Sequence, residues 1–103
     1  MFTSDARLKT DIKDLAGCLA KIKALRPVEF HWQGNSDDFK DQGFVAQEFY
    51  RIFPDWTMNT DDGIKGISTQ QPWQIDTSVL LPNLVGAIIE LSAILDAIIN
   101  PPL

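Results

Sequence analysis

The chain has 103 residues, of which 45% are hydrophobic, and it carries a formal net charge of −5. This length and composition predict one small globular domain over residues 1–103, with a core modest enough that oligomerisation would stabilise it. The negative charge argues against nucleic acid and membrane partners, since nucleic acids and anionic membranes usually require a basic surface.

Cys18 is the only cysteine, which excludes a disulfide within the chain. It lies among leucine and isoleucine residues at helical spacing, so we expect a buried thiol rather than a reactive one. One cysteine and one histidine do not predict a zinc site, and the aspartate pairs lack the alternation of a calcium loop. No metal site and no cofactor are predicted. The N-terminus lacks the basic and apolar segments of a signal peptide.

The first half of the chain alternates between helical and extended patterns. In chain order these predict a helix from Thr10 or Asp11 to about Leu25, a half-buried strand over 28–32, an exposed polar excursion over 33–40, a second strand over 43–46 and a short helix over 47–53. Pro27 and Pro54 are expected to end the two helices. The two strands can pair as a hairpin.

The second half predicts short extended segments followed by one long helix. The segments are a strand over 56–58, an Asp-Gly turn over 61–63, a strand over 64–67 and an extended piece over 73–76. The helix begins at Thr77, a good N-cap residue, and ends at Asn100; Pro82 near its first turn could kink it. The fold class is α+β: an N-terminal helix, short antiparallel strands or hairpins and a long C-terminal helix.

The C-terminal helix has a regular apolar seam. Apolar residues recur every three or four positions, as in a coiled coil, at Leu81, Leu84, Ile88, Leu91, Leu95 and Ile98. The helix either packs in the domain's own core or lies at a symmetry axis between copies, with three chains favoured over two because the apolar face is broad. A membrane span is not expected, since polar residues such as Glu90 and Asp96 interrupt the segment.

Ser4 and Lys9 are the candidate catalytic residues. A neutral lysine can take the proton from a serine hydroxyl, which gives a nucleophile–base pair without histidine. Five helical steps leave two side chains about 140° out of alignment, so the pair can meet only in a loop or an irregular turn. This spacing also occurs by chance in exposed segments. His31 is an alternative base, but its place beside Trp32 in a strand pattern favours a structural role.

Four blocks of sequence together resemble one family. They are Ser4–Ile12, which contains Ser-Asp-Ala-Arg-Leu-Lys; Lys23–Trp32; Gly43–Glu48 with the following Phe53-Pro54; and Ala87–Leu91. Their order and spacing are similar to those of peptidase S74, the intramolecular chaperones of phage endosialidases and tail fibres.

This resemblance implies a homotrimer at the C-terminus of a fibre or tailspike protein, with that upstream polypeptide as its client. Ser4 matches the catalytic serine and Lys9 the catalytic lysine, while Asp5, Arg7 and Leu8 fill the surrounding motif. Residues 1–9 would be the cleavage-site segment and residues 77–100 the trimerisation helix. The excursion between Trp32 and Asp41 would lie at the place where family members carry extensions that touch the folding fibre.

The function expected from this resemblance is to trimerise and register the upstream fibre, followed by self-release. The domain would act once, in cis, as a serine endopeptidase that cuts at Ser4. This would happen in the host cytoplasm during virion assembly, and the domain would leave the mature fibre. The alternative is a non-catalytic homotrimerisation module. A serine peptidase acting in trans is disfavoured, because no substrate cleft is suggested.

Overall fold

The computed structural model describes residues 2–34, 39–58 and 72–102. Mixed helices and short antiparallel strands confirm the predicted α+β class. The elements are, in chain order, a 3-10 turn (Ala6–Leu8), α1 (Cys18–Ala24), β1 (Val28–Phe30), β2 (Asp41–Gly43), α2 (Ala46–Tyr50), a 3-10 turn (Pro54–Trp56), β3 (Thr57–Met58), β4 (Gln74–Ile75), a 3-10 turn (Thr77–Val79) and α3 (Leu80–Ile99).

The first helix is shorter than the sequence predicts. It begins at Cys18 rather than at Thr10 or Asp11, and the segment before it is not helical. Asp11 and Gly17 both have positive φ angles, of 53° and 71°, which a right-handed helix excludes. Ile12, which the helical pattern assigns to the buried face, is 70% exposed. A short helix depends on burying an apolar face, and nothing within the described chain buries this one.

The predicted hairpin is confirmed, with a shift in its second strand. β1 and β2 pair antiparallel, with Val28 opposite Gly43 and Phe30 opposite Asp41. The second strand ends at Gly43 instead of extending over 43–46, because α2 already begins at Ala46. Of the predicted excursion over 33–40, residues 35–38 lie outside the described part of the chain.

Aromatic side chains in and next to α2 form the core. Phe49 from α2 is 1% exposed and packs with Phe53 and Val79, and the Phe49 and Phe53 ring centroids lie 5.3 Å apart. The helix predicted over 47–53 is α2 followed by a turn, and it stops before Pro54 as expected. Burial of these side chains fixes α2 against the start of the C-terminal segment.

The extended pieces that flank residues 59–71 pair with each other. β3 and β4 are antiparallel, with Thr57 opposite Ile75 and Met58 opposite Gln74. These two strands confirm the extended segments predicted over 56–58 and 73–76. The predicted turn over 61–63 and strand over 64–67 lie outside the described residues.

The long C-terminal helix is confirmed, but its cap is one residue earlier than predicted. The Asp76 carboxylate, not the Thr77 hydroxyl, accepts a hydrogen bond from the Ser78 N–H, at 3.0 Å. A 3-10 turn then leads directly into α3, which ends at Ile99. Pro82 is the third residue of α3 and lies in its first turn. Proline is tolerated there, because the N–H groups of the first turn have no acceptor within the helix.

The main helix–helix contact joins α1 to α3 through small residues. Cys18 is fully buried, as predicted, and packs against Gly86. A Cβ placed on Gly86 would lie 2.9 Å from Cys18 Cβ and closer still to its sulfur, so glycine is what allows this approach. Ala87, also buried, lies next to Gly86 on α3.

The rest of α3 is largely uncovered. Its six seam residues are between 42% and 71% exposed, so within one chain the seam is not part of the core. The total accessible surface is 8956 Å², whereas a compact monomer of this mass exposes about 5,800 Å². By length and composition alone, the helical stretch Thr77–Ile99 could cross a membrane.

Candidate functional site

The sequence motif at the N-terminus folds into one tight turn. Asp5 is extended, with φ −69° and ψ 132°, the next three residues form a 3-10 turn, and Lys9 is extended again, with φ −119° and ψ 148°. The turn is closed by hydrogen bonds from the Leu8 N–H to the Asp5 carbonyl (3.0 Å) and from the Lys9 N–H to the Ala6 carbonyl (3.1 Å). This is the irregular turn that the spacing of serine and lysine requires.

The turn brings the two candidate catalytic side chains together. Lys9 Nζ donates a hydrogen bond to Ser4 Oγ at 2.6 Å. A separation within hydrogen-bond range is what a base needs in order to remove the hydroxyl proton. Both residues are exposed. The two side chains are therefore within hydrogen-bond range of each other in one chain, and no other described residue shields them from solvent.

The two charged motif residues pair with each other. Arg7 Nη2 donates to Asp5 Oδ2 at 2.7 Å, and the Arg7 backbone N–H donates to Asp5 Oδ1 at 2.9 Å. The side-chain hydrogen bond from Arg7, followed by the backbone one, lowers the pKa of Asp5, and the same pairing raises the pKa of Arg7. The third motif residue, Leu8, projects into solvent and is 73% exposed.

The structure also places the residues that the sequence offered as alternatives. His31 is exposed immediately after β1, and the described residues make no hydrogen bond to its side chain. Among the described residues there is no group of three or more His, Cys, Asp or Glu side chains that could hold a metal ion.

Glu90 is a linking residue that the sequence reasoning missed. From α3 its carboxylate reaches the start of α1, where Oε1 accepts from the Gly17 N–H at 3.2 Å and Oε2 accepts from the Leu19 N–H at 2.5 Å. A carboxylate at a helix N-terminus satisfies free amides and opposes the helix dipole. The signal for it was Glu90 itself, an acidic residue in an apolar helix, away from the seam positions.

A family model described as the chaperone of endosialidase, Peptidase_S74, matches residues 4–58. The match begins at Ser4 and includes the N-terminal turn, α1, the β1–β2 hairpin, α2 and β3. It covers more than half of the chain and does not include α3. No curated protein matches the chain. On the family model's match, the chain belongs to the peptidase S74 family, the chaperones of endosialidase.

Proposed function

We propose that this chain is the intramolecular chaperone of a phage fibre or tailspike polypeptide, and that it releases itself by cutting at Ser4. Family membership gives the chaperone role and a self-cleaving domain of the serine-peptidase type. The observation that supports the specific mechanism is the 2.6 Å hydrogen bond between Lys9 Nζ and Ser4 Oγ.

In the proposed reaction, the neutral Lys9 amine takes the proton from Ser4 Oγ as the oxygen attacks a peptide carbonyl at the cleavage site. A bond forms between Oγ and the carbonyl carbon, and the carbon–nitrogen bond breaks. The proton passes from Lys9 to the departing amine, and water then hydrolyses the ester. Free backbone N–H groups near the turn would stabilise the oxyanion.

The proposed function includes assembly of three copies of the chain through α3. The exposed seam of α3 has the spacing of a coiled coil, which points to copies of the same helix as its partner. The chain exposes about 3,000 Å² more than a compact monomer would.

Trimerisation explains why a fibre benefits from such a domain. Winding three chains into a β-structure requires long-range pairing, which is slow and exposes unpaired edges. A C-terminal trimer raises the local concentration of the three chain ends and sets their register. After cleavage, the fibre is held by its own unfolding barrier. Release therefore follows assembly in the host cytoplasm.

In this proposal, cleavage takes place only after the chains have assembled. Ser4 and Lys9 are exposed in the single chain, so water surrounds the pair that would react. Covering this turn with neighbouring copies or with the folded fibre would favour the neutral amine. The exposed Leu8 and Ile12 side chains beside the pair offer an apolar surface for such a cover.

A non-catalytic homotrimerisation module is the second candidate, and the solvent exposure of the Ser4–Lys9 pair favours it. The test expresses the domain behind its native upstream polypeptide and follows cleavage on denaturing gels. The wild type should split, while Ser4→Ala and Lys9→Ala should stay at full length; Lys13→Ala is the matched lysine control and should split. A wild-type precursor that stays uncut would contradict self-cleavage and leave the non-catalytic homotrimerisation module as the function.

A further inference from the structure

The Asp5 carboxylate lies on the same turn as Lys9 but is bound to a different cation. Arg7 Nε donates to both carboxylate oxygens at 3.2 Å, Arg7 Nη2 donates to Oδ2 at 2.7 Å, and the Arg7 backbone N–H donates to Oδ1 at 2.9 Å. Both oxygens of Asp5 are thereby occupied by Arg7, two residues further along the chain.

Lys9 is bound to a hydroxyl rather than to a carboxylate. Within the part of the chain that the structure describes, Lys9 forms no ion pair, and its side chain is hydrogen-bonded to Ser4. Asp5 and Lys9 are nevertheless four residues apart on one closed turn, since the Leu8 N–H is bonded to the Asp5 carbonyl. Asp11, two residues beyond Lys9, is the acidic residue nearest to it in sequence, and a carboxylate of Asp5 freed from Arg7 would add a second one on the same closed turn.

An unpaired carboxylate beside Lys9 would oppose its use as a base. A nearby negative charge favours the protonated form of a lysine, whereas proton removal from Ser4 requires the neutral form. Arg7 avoids this conflict, because its planar guanidinium can hold both oxygens of one carboxylate at once.

We propose that Arg7 is a positioning residue that binds the Asp5 carboxylate and so keeps it from pairing with Lys9. The proposal rests on the proposed self-cleavage by Ser4 and Lys9. Arg7 acts through Asp5 and does not touch the reacting atoms. It follows that the loss of Arg7 slows self-cleavage only while residue 5 carries a negative charge.

The experiment compares cleavage rates of the full-length precursor over the neutral to alkaline pH range. Arg7→Gln should cleave about tenfold more slowly than wild type at neutral pH, and its pH–rate midpoint should rise by about one unit. Adding Asp5→Asn to Arg7→Gln should restore the neutral-pH rate to within about threefold of wild type. The matched control is Arg26→Gln, which breaks the exposed Arg26–Glu48 pair elsewhere and should leave cleavage unchanged.

Two results would overturn the proposal: an Arg7→Gln precursor with the wild-type pH profile, or a double variant as slow as Arg7→Gln alone. Sedimentation of each variant in a Ser4→Ala background monitors assembly. If Arg7→Gln lost activity by failing to assemble, alkaline pH would not rescue it, which also contradicts the proposal. Failure of self-cleavage itself is a separate outcome, because the wild-type precursor would then stay uncut.

Discussion

Glu90 on α3 caps the N-terminus of α1, with its Oε2 accepting a hydrogen bond from the Leu19 N–H at 2.5 Å. The two residues are 71 positions apart in the chain. Gly17, the N-cap residue of α1, has no side chain with which to cap the helix itself, so a distant carboxylate takes that role. This contact ties the region matched by the family model to the helix outside it.

Glu90→Ala should destabilise the fold by about 1–2 kcal/mol, because it leaves the Gly17 and Leu19 amides without their acceptors. Glu90→Gln, which keeps one oxygen acceptor, should destabilise the fold less than Glu90→Ala does. Urea unfolding at a fixed protein concentration measures both changes. Asp96→Asn, also an acidic position on α3, is the control and should have the wild-type midpoint; equal midpoints for Glu90→Ala and the control would contradict the capping role.

Gly86→Ala should separate α1 from α3, because the added methyl would collide with Cys18. We expect a loss of about 1–3 kcal/mol, typical of an overpacked contact. Cys18→Ala removes the sulfur and should recover part of that loss, although the contact with the β-carbon remains. A double-mutant cycle by urea unfolding measures the coupling. Strictly additive effects would show that the two residues do not meet.

Ile88→Asp should abolish self-association, because it places a charge in the middle of the proposed seam. Analytical ultracentrifugation without detergent should show a trimer for the wild type and a monomer for the variant. Ala93→Asp introduces the same charge at an exposed position on the other side of α3 from the seam, and should remain trimeric.

The same two variants test whether cleavage depends on assembly. Behind the upstream polypeptide, the Ile88→Asp precursor should remain uncut while the Ala93→Asp precursor splits. A monomeric Ile88→Asp precursor that cleaves at the wild-type rate would disprove the link. A wild-type chain that stays monomeric in buffer and associates only with lipid vesicles would instead identify a membrane as the partner of α3.

The ion pair between Arg26 and Glu48 should stabilise the fold in a pH-dependent way. Arg26 Nη2 donates to Glu48 Oε2 at 2.6 Å, and this hydrogen bond lowers the pKa of Glu48 below its usual value of 4.5. The contribution is therefore present above the pKa of the unfolded state and is lost as pH falls through the lower pKa of the folded state. The difference in unfolding free energy between wild type and Arg26→Gln should shrink on acidification below about pH 4.5. A difference that stays constant with pH would contradict a stabilising role of this ion pair.

The periodicity of the sequence correctly predicted most of the helices and strands. The β1–β2 hairpin, α2 and α3 appear where the pattern placed them, with boundaries shifted by a few residues. The helix before Cys18 was wrong, because its apolar spacing was read as a buried face although Ile12 is exposed. Apolar residues at helical spacing indicate a surface that would be more stable when buried. The spacing does not show whether that surface is buried by the same chain or by another one.

The sequence by itself determined the residue types of the Ser4–Lys9 pair, the requirement for an irregular turn between them and the seam of α3, since these follow from side-chain chemistry and spacing. Only the tertiary structure decided that Lys9 reaches Ser4, that Arg7 holds Asp5 and that Glu90 caps α1 from across the chain. Such contacts depend on backbone angles and on distant segments meeting, and neither is encoded in a local pattern. The tertiary structure likewise showed that the seam is uncovered within one chain.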